Sequence, residues 1–63
     1  MPIIQITLIA GRSDDQKKAM YHAVTEAVHQ TIGAPKESIR IMVNEVPPVH
    51  FAVAGVAKSG PSS

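Results

Sequence analysis

A chain of 63 residues without a single cysteine has few ways to be stable alone. Such a chain exposes roughly 9,700 Å² when unfolded and about 3,900 Å² as a compact monomer, so folding hides only about 60% of its surface. Apolar burial then contributes on the order of 90 kcal/mol, and ordering the chain costs about the same. Small domains resolve that near-cancellation with disulfides, a structural metal or a partner subunit. Disulfides and thiolate zinc sites are excluded here. His22, His29 and His50 are the only imidazoles, and the seven-residue spacing of the first two shares a helix face without matching the i, i+4 spacing of a chelating pair. No metal or other cofactor is expected. Self-association is the remaining solution.

The hydrophobic share of 44% beside 17% charged residues fits a globular chain with more apolar surface than a small monomer can cover. A net charge of +1 from dispersed Lys and Arg, with one Tyr and one Phe, gives no basic stacking platform, and nucleic-acid binding is not expected. No apolar run is long enough to span a bilayer, and the start of the chain lacks a basic region followed by an apolar core and cleavage site. The cytoplasm is the expected location.

The run from Pro2 to Ile9 is rich in β-branched residues and apolar on both parities, as in a strand buried on both faces. Ser13-Asp14-Asp15-Gln16 is a capping box and should start a helix, with two carboxylates in its positive first turn. Met20, Ala23, Val24, Ala27, Val28 and Ile32 recur at helical spacing and form its expected core stripe. Lys17, Lys18, Tyr21, His22, Thr25, Glu26, His29 and Gln30 fill the other sides. Gly33 suits the helix end, and Pro35 prevents continuation. Ser38 to Val46 reads as a second strand, ended by Pro47-Pro48. Strand, helix and strand with short joints predict a single α/β domain, residues 1–63, built on a β-α-β unit with parallel strands and a right-handed crossover. Phe51 to Ala54 can add a short edge strand or hairpin, and Ala57 to Ser63 reads as a flexible tail. One helix covers one face of a two-strand sheet, so the other face calls for another subunit.

Few side chains can carry a reaction. Asp14, Asp15, Glu26, Glu37 and Glu45 are the five carboxylates, four of them in solvated helix or turn positions, which disfavours an acid-pair mechanism. Ser13 and Ser38 are accounted for as cap or turn residues. Pro2 follows the initiator Met, whose removal a small second residue permits. The exposed proline would be a secondary amine, whose pKa an apolar strand start and nearby Arg would lower. Proline is also common at strand starts for structural reasons. Arg12, between strand and helix cap, is either a solvated loop charge or a carboxylate clamp. Arg40, inside an apolar strand, is either a structural salt-bridge partner or a ligand-binding residue.

Pro2-Ile3-Ile4-Gln5-Ile6, Gly11-Arg12-Ser13-Asp14-Asp15-Gln16-Lys17, Ala34-Pro35, Arg40 in its strand, and His50-Phe51 followed by small residues and Gly55 together resemble the 4-oxalocrotonate tautomerase family over roughly residues 2 to 55. The resemblance implies a tautomerase-like β-α-β subunit assembled as a homohexamer, a trimer of dimers with shared active sites. It implies a cofactor-independent isomerase of the kind used in aromatic hydrocarbon catabolism, acting on a small carboxylate substrate. In that scheme Pro2, after loss of Met1, is the general base moving a proton from the enol of a 2-hydroxydienoate to a carbon further along the conjugated system. Arg12 binds the remote carboxylate, and Arg40 of a neighbouring subunit engages the 2-oxo or 2-hydroxy oxygen and its adjacent carboxylate. Phe51 supplies an apolar wall that keeps the amine neutral.

Ala10 stands where the best-known member has an acidic residue, and Thr7 where it has histidine. Pro47-Pro48 alters the turn toward Phe51. These departures bear on substrate identity and loop shape. Other proline-based activities, namely hydration, dehalogenation or decarboxylation, are the alternative chemistry. Hydration needs a water-activating carboxylate, which Ala52 and Val53 do not provide. A retained Met1 would make the Pro2 nitrogen a tertiary amide and leave a non-catalytic assembly module.

Overall fold

The computed structural model describes residues 1–58. Strand β1 (Ile3–Ile9) leads to helix α1 (Asp14–Ile32), a 3₁₀ turn (Lys36–Ser38), strand β2 (Arg40–Val46), a second 3₁₀ turn (Pro48–His50) and the short strands β3 (Ala52–Val53) and β4 (Val56–Ala57). β1 and β2 pair in parallel from Ile3 opposite Arg40 to Ile9 opposite Val46, as the β-α-β pattern requires. β3 and β4 form a separate antiparallel hairpin. No described helix is long and apolar enough to cross a membrane.

The ends of α1 follow from local chemistry. Ser13 accepts the Gln16 backbone N–H through Oγ, and the Gln16 side chain accepts the Ser13 N–H at 3.0 Å, closing the capping box. At the other end Gly33 adopts φ 73°, a left-handed conformation that costs glycine nothing, and donates its N–H to His29 O. His29 adds a 2.7 Å contact from Nδ1 to Ala34 O.

Alternation along both strands assigns the faces. Ile4, Ile6, Leu8, Ile41 and Val43 are half-buried toward α1, while Ile3, Gln5, Thr7, Met42 and Asn44 are exposed on the other side. That outer face mixes polar and apolar residues, and its Ile3 and Met42 remain 55% and 57% exposed. Ile39 alone among the described residues is buried. A single chain therefore builds two layers without closing a core between them.

Three sequence-level expectations are corrected. The second strand begins at Arg40 rather than Ser38, because Ser38 donates both its N–H and its hydroxyl to Pro35 O and completes a 3₁₀ turn first. The helix contact face is also turned. Tyr21, Thr25 and His29 are half-buried beside Met20, Val24 and Val28, whereas Ala23, Ala27 and Ile32 are exposed. A two-strand sheet is too narrow to cover the whole apolar stripe. Finally, Ala57 and Lys58 belong to the hairpin instead of a flexible tail: Ala57 pairs with Ala52, and the Lys58 N–H donates to Phe51 O at 2.8 Å. The rest of the expected tail, 59–63, lies outside the described residues.

The hairpin turn needs positive φ at both central residues, and Ala54 and Gly55 supply φ 54° and 80°. Only the second of these is conformationally free.

Candidate active site

Pro2 is half-buried at the start of β1, where its carbonyl accepts the Arg40 N–H at 3.0 Å. Arg40, assigned by resemblance to a neighbouring subunit, thus lies at backbone level beside the Pro2 of its own chain. Its guanidinium Nη1 donates to Glu37 O at 2.6 Å. Met1 precedes Pro2 and is 79% exposed.

Arg12 stands at the opposite end. Between Pro2 and the Arg12 loop runs the whole of β1, Ile3 to Ile9, or roughly 20 Å at about 3.3 Å per step. Gly11 adopts φ 137°, a conformation L side chains rarely reach, and turns the chain between Ala10 and Arg12. Arg12 is half-buried, and Nη1 donates to Ile9 O at 3.3 Å.

Phe51 follows the same end of the sheet as Arg12. Parallel pairing brings the end of β2 level with the end of β1, and the Ala10 N–H donates to Val46 O at 2.8 Å. From Val46 the chain reaches Phe51 through Pro47 and the 3₁₀ turn Pro48–His50. That path extends roughly 13 Å at most, which is short of the sheet's length. Phe51 closes the turn by donating its N–H to Pro48 O, and its side chain leaves it 41% exposed.

The subunit therefore pairs the Arg40 backbone with Pro2, separates both from Arg12, and leaves Phe51 on the Arg12 side. The two arginines share one property. Among the described residues neither pairs with a carboxylate, and the side-chain bonds of both go to backbone carbonyls. The salt-bridge alternative for Arg40 is not realised within the described chain.

The ion pairs that do form are elsewhere. Lys17 reaches Glu45 at 3.1 Å and Asp14 at 3.4 Å, and Glu45 holds the Lys17 ammonium above the ordinary lysine range. Lys36 pairs with Glu26 and holds its carboxyl below the usual range. The Lys17–Glu45 pair was not singled out from sequence, where Lys17 counted as a polar-face residue. Its signal was spacing: Lys17 is seven residues before Val24, and Glu45 two after Val43, so they fall on the sides of helix and strand that face each other. Among the described residues, no three of His, Asp and Glu lie close enough together to hold a metal ion.

Known proteins resemble this chain in sequence and fold. Residues 2–59 match the family described as "Tautomerase enzyme". A probable tautomerase of Ralstonia nicotianae is 51% identical over 59 residues, covering 94% of this chain and 84% of that protein. TomN, a 4-oxalocrotonate tautomerase homologue of the tomaymycin biosynthetic pathway, superposes with a TM-score of 0.86 at 41% identity, covering 89% of this chain and 86% of that one. A heterohexameric 4-oxalocrotonate tautomerase from Chloroflexus aurantiacus superposes with a TM-score of 0.85 at 33% identity, over 90% of this chain and 92% of that one. Sequence and fold agree over nearly the whole chain, which belongs to the 4-oxalocrotonate tautomerase family of the tautomerase superfamily.

Proposed function

We propose that the chain, once Met1 is removed, is a tautomerase that uses the Pro2 amine as general base on a 2-hydroxydienoate or related 2-oxo acid carrying a second carboxylate. The neutral amine takes the proton of the enol hydroxyl and returns one to a distal carbon as the conjugated electrons shift, so no group is gained or lost. Arg40 of a neighbouring subunit engages the 2-oxygen and its adjacent carboxylate. Arg12 of another subunit holds the remote carboxylate and draws electron density toward it. Phe51 excludes water beside the amine and disfavours its protonated form.

One observation carries this reading. Two arginines whose guanidiniums lack carboxylate partners in the described chain stand at opposite ends of a sheet roughly 20 Å long, and the backbone of one of them pairs with Pro2. Such a distribution suits a site completed by association, and the relative from Chloroflexus aurantiacus is a heterohexamer. A homohexamer with shared sites is the corresponding assembly here. Ala52 and Val53 offer no carboxylate to activate water, so isomerisation is favoured over hydration.

The test compares protein with and without Met1, verified by intact-mass measurement, in an ultraviolet assay of 2-hydroxymuconate ketonisation. The Met-free protein should turn over and the Met-retaining protein should not. Equal activity of the two forms would exclude the proline mechanism. Replacing Arg12 with Ala removes a charge-assisted contact of about 1.5–3 kcal/mol, which predicts a roughly 10- to 150-fold loss of kcat/KM on the dicarboxylate.

A further inference from the structure

The joint that carries Arg12 is bridged by a pair of charges that meet between helix and sheet. Lys17 projects from the helix face of Val24 and Val28, and Glu45 from the sheet face of Ile41 and Val43. Their side chains are 17% and 33% exposed, and Nζ lies 3.1 Å from Oε1. A charged pair gives this contact a direction that apolar packing lacks. Asp14, the other carboxylate at Lys17, is 88% exposed and in the same helical turn, so it ties α1 only to itself.

Arg12 lies between the two anchored ends of this joint. Ala10 is bonded to Val46 at the end of β2, and Ser13 is locked to the first turn of α1 by the capping box and by the Lys17 N–H, which donates to Ser13 O at 3.1 Å. The side chain of Arg12 has one local anchor, the 3.3 Å bond to Ile9 O. Among the described residues, Lys17 to Glu45 is the one side-chain bond spanning from α1 to the sheet. Where the first turn of α1 sits over β2 therefore sets where Arg12 is presented.

We propose that the Lys17–Glu45 pair is a positioning device for Arg12 and so governs recognition of the substrate's remote carboxylate. This rests on Arg12 being the carboxylate clamp. Without the bridge the helix start can shift over the sheet, and displacements of about 1 Å can cost up to a hundred-fold in rate. The effect should be confined to substrates that use Arg12.

The experiment measures kcat and KM for Lys17→Met, Glu45→Gln and the exchange Lys17→Glu with Glu45→Lys. The substrates are 2-hydroxymuconate, which has a remote carboxylate, and phenylenolpyruvate, which has none. Oligomer size is followed by sedimentation. The single variants should raise KM for 2-hydroxymuconate on the order of ten-fold, leave phenylenolpyruvate turnover within about two-fold, and keep the parental assembly. The exchanged pair should recover most of the loss. Equal losses on both substrates, unchanged KM on the dicarboxylate, or no recovery in the exchanged pair would overturn the proposal. Should Lys17→Met fail to assemble, Lys17→Arg keeps the charge and must retain the parental KM; a ten-fold rise there counts against the proposal. Arg12→Ala separates the two levels: if it leaves 2-hydroxymuconate kinetics intact, the clamp itself fails, whereas a strong effect there with none in the Lys17 and Glu45 variants removes the positioning role alone.

Discussion

Replacing Met42 with Asp should dissolve the assembly. Met42 sits at the middle of β2 on the face that α1 does not cover, 57% exposed, opposite Gln5 and one strand parity step from Ile3, itself 55% exposed. Full burial of such side chains is worth about 1.5–3 kcal/mol each, so covering what remains exposed on these two contributes roughly 3–7 kcal/mol across a two-fold contact of two subunits. Met42 accounts for about half. Its loss from both subunits should weaken that contact by roughly 2–3 kcal/mol, or about 30- to 150-fold in dissociation constant. Two carboxylates brought into a dry interface add a further desolvation penalty. Sedimentation velocity across a micromolar concentration series reads this directly, and Gln30→Asp, on the exposed side of α1, serves as the control. The Met42 variant should run as dissociated species while the control keeps the parental size. An unchanged sedimentation profile for Met42→Asp would refute the assignment of the outer sheet face to a subunit contact.

Two further outcomes follow from local structure. Lys36 depresses the Glu26 carboxyl from its ordinary value of 4.5, so the pair stabilises the fold above that pH, and its contribution is lost as pH falls through the lower folded value. An acid melt should therefore show a stability drop beginning below about pH 4.5, and Glu26→Gln should flatten it; identical acid profiles would dismiss the pair. Ala54 occupies φ 54° in the hairpin turn, where asparagine is better tolerated. Ala54→Asn should stabilise the assembly by up to about 1 kcal/mol in thermal unfolding, and a fall in melting temperature would contradict the strain assigned to that residue.

Much of the fold was legible because its punctuation is local. The Ser13 capping box, Gly33 and the two proline clusters act within a few residues, and the structure places helix and strand ends at or within two residues of where they predict. What escaped depended on distance in the chain. The Pro35 carbonyl captures Ser38 and delays β2, which strand alternation does not record. The exposure of Ala23, Ala27 and Ile32 reflects the width of the sheet below the helix, a quantity absent from helical periodicity. Lys17 and Glu45 each look like ordinary surface charges until β2 is laid beside β1 and the two meet between helix and sheet. The candidate site was legible as residue types but not as a place. Pro2, Arg12, Arg40 and Phe51 could be named singly, whereas their division between the two ends of the sheet follows from parallel pairing and from the roughly 20 Å length of β1.

The central claim is that one site takes Pro2 from one subunit and Arg12 from another. Pro2→Ala and Arg12→Ala subunits, each impaired alone, can be dissociated, mixed in equal amounts and reassembled, with 2-hydroxymuconate turnover compared before and after. Random reassembly with shared sites makes about a quarter of them intact in both residues, so turnover should rise to about a quarter of the parental value. Turnover that stays at the mean of the two variants, with hybrid assemblies verified by native mass measurement, would show that Pro2 and Arg12 act within one chain and would contradict the account.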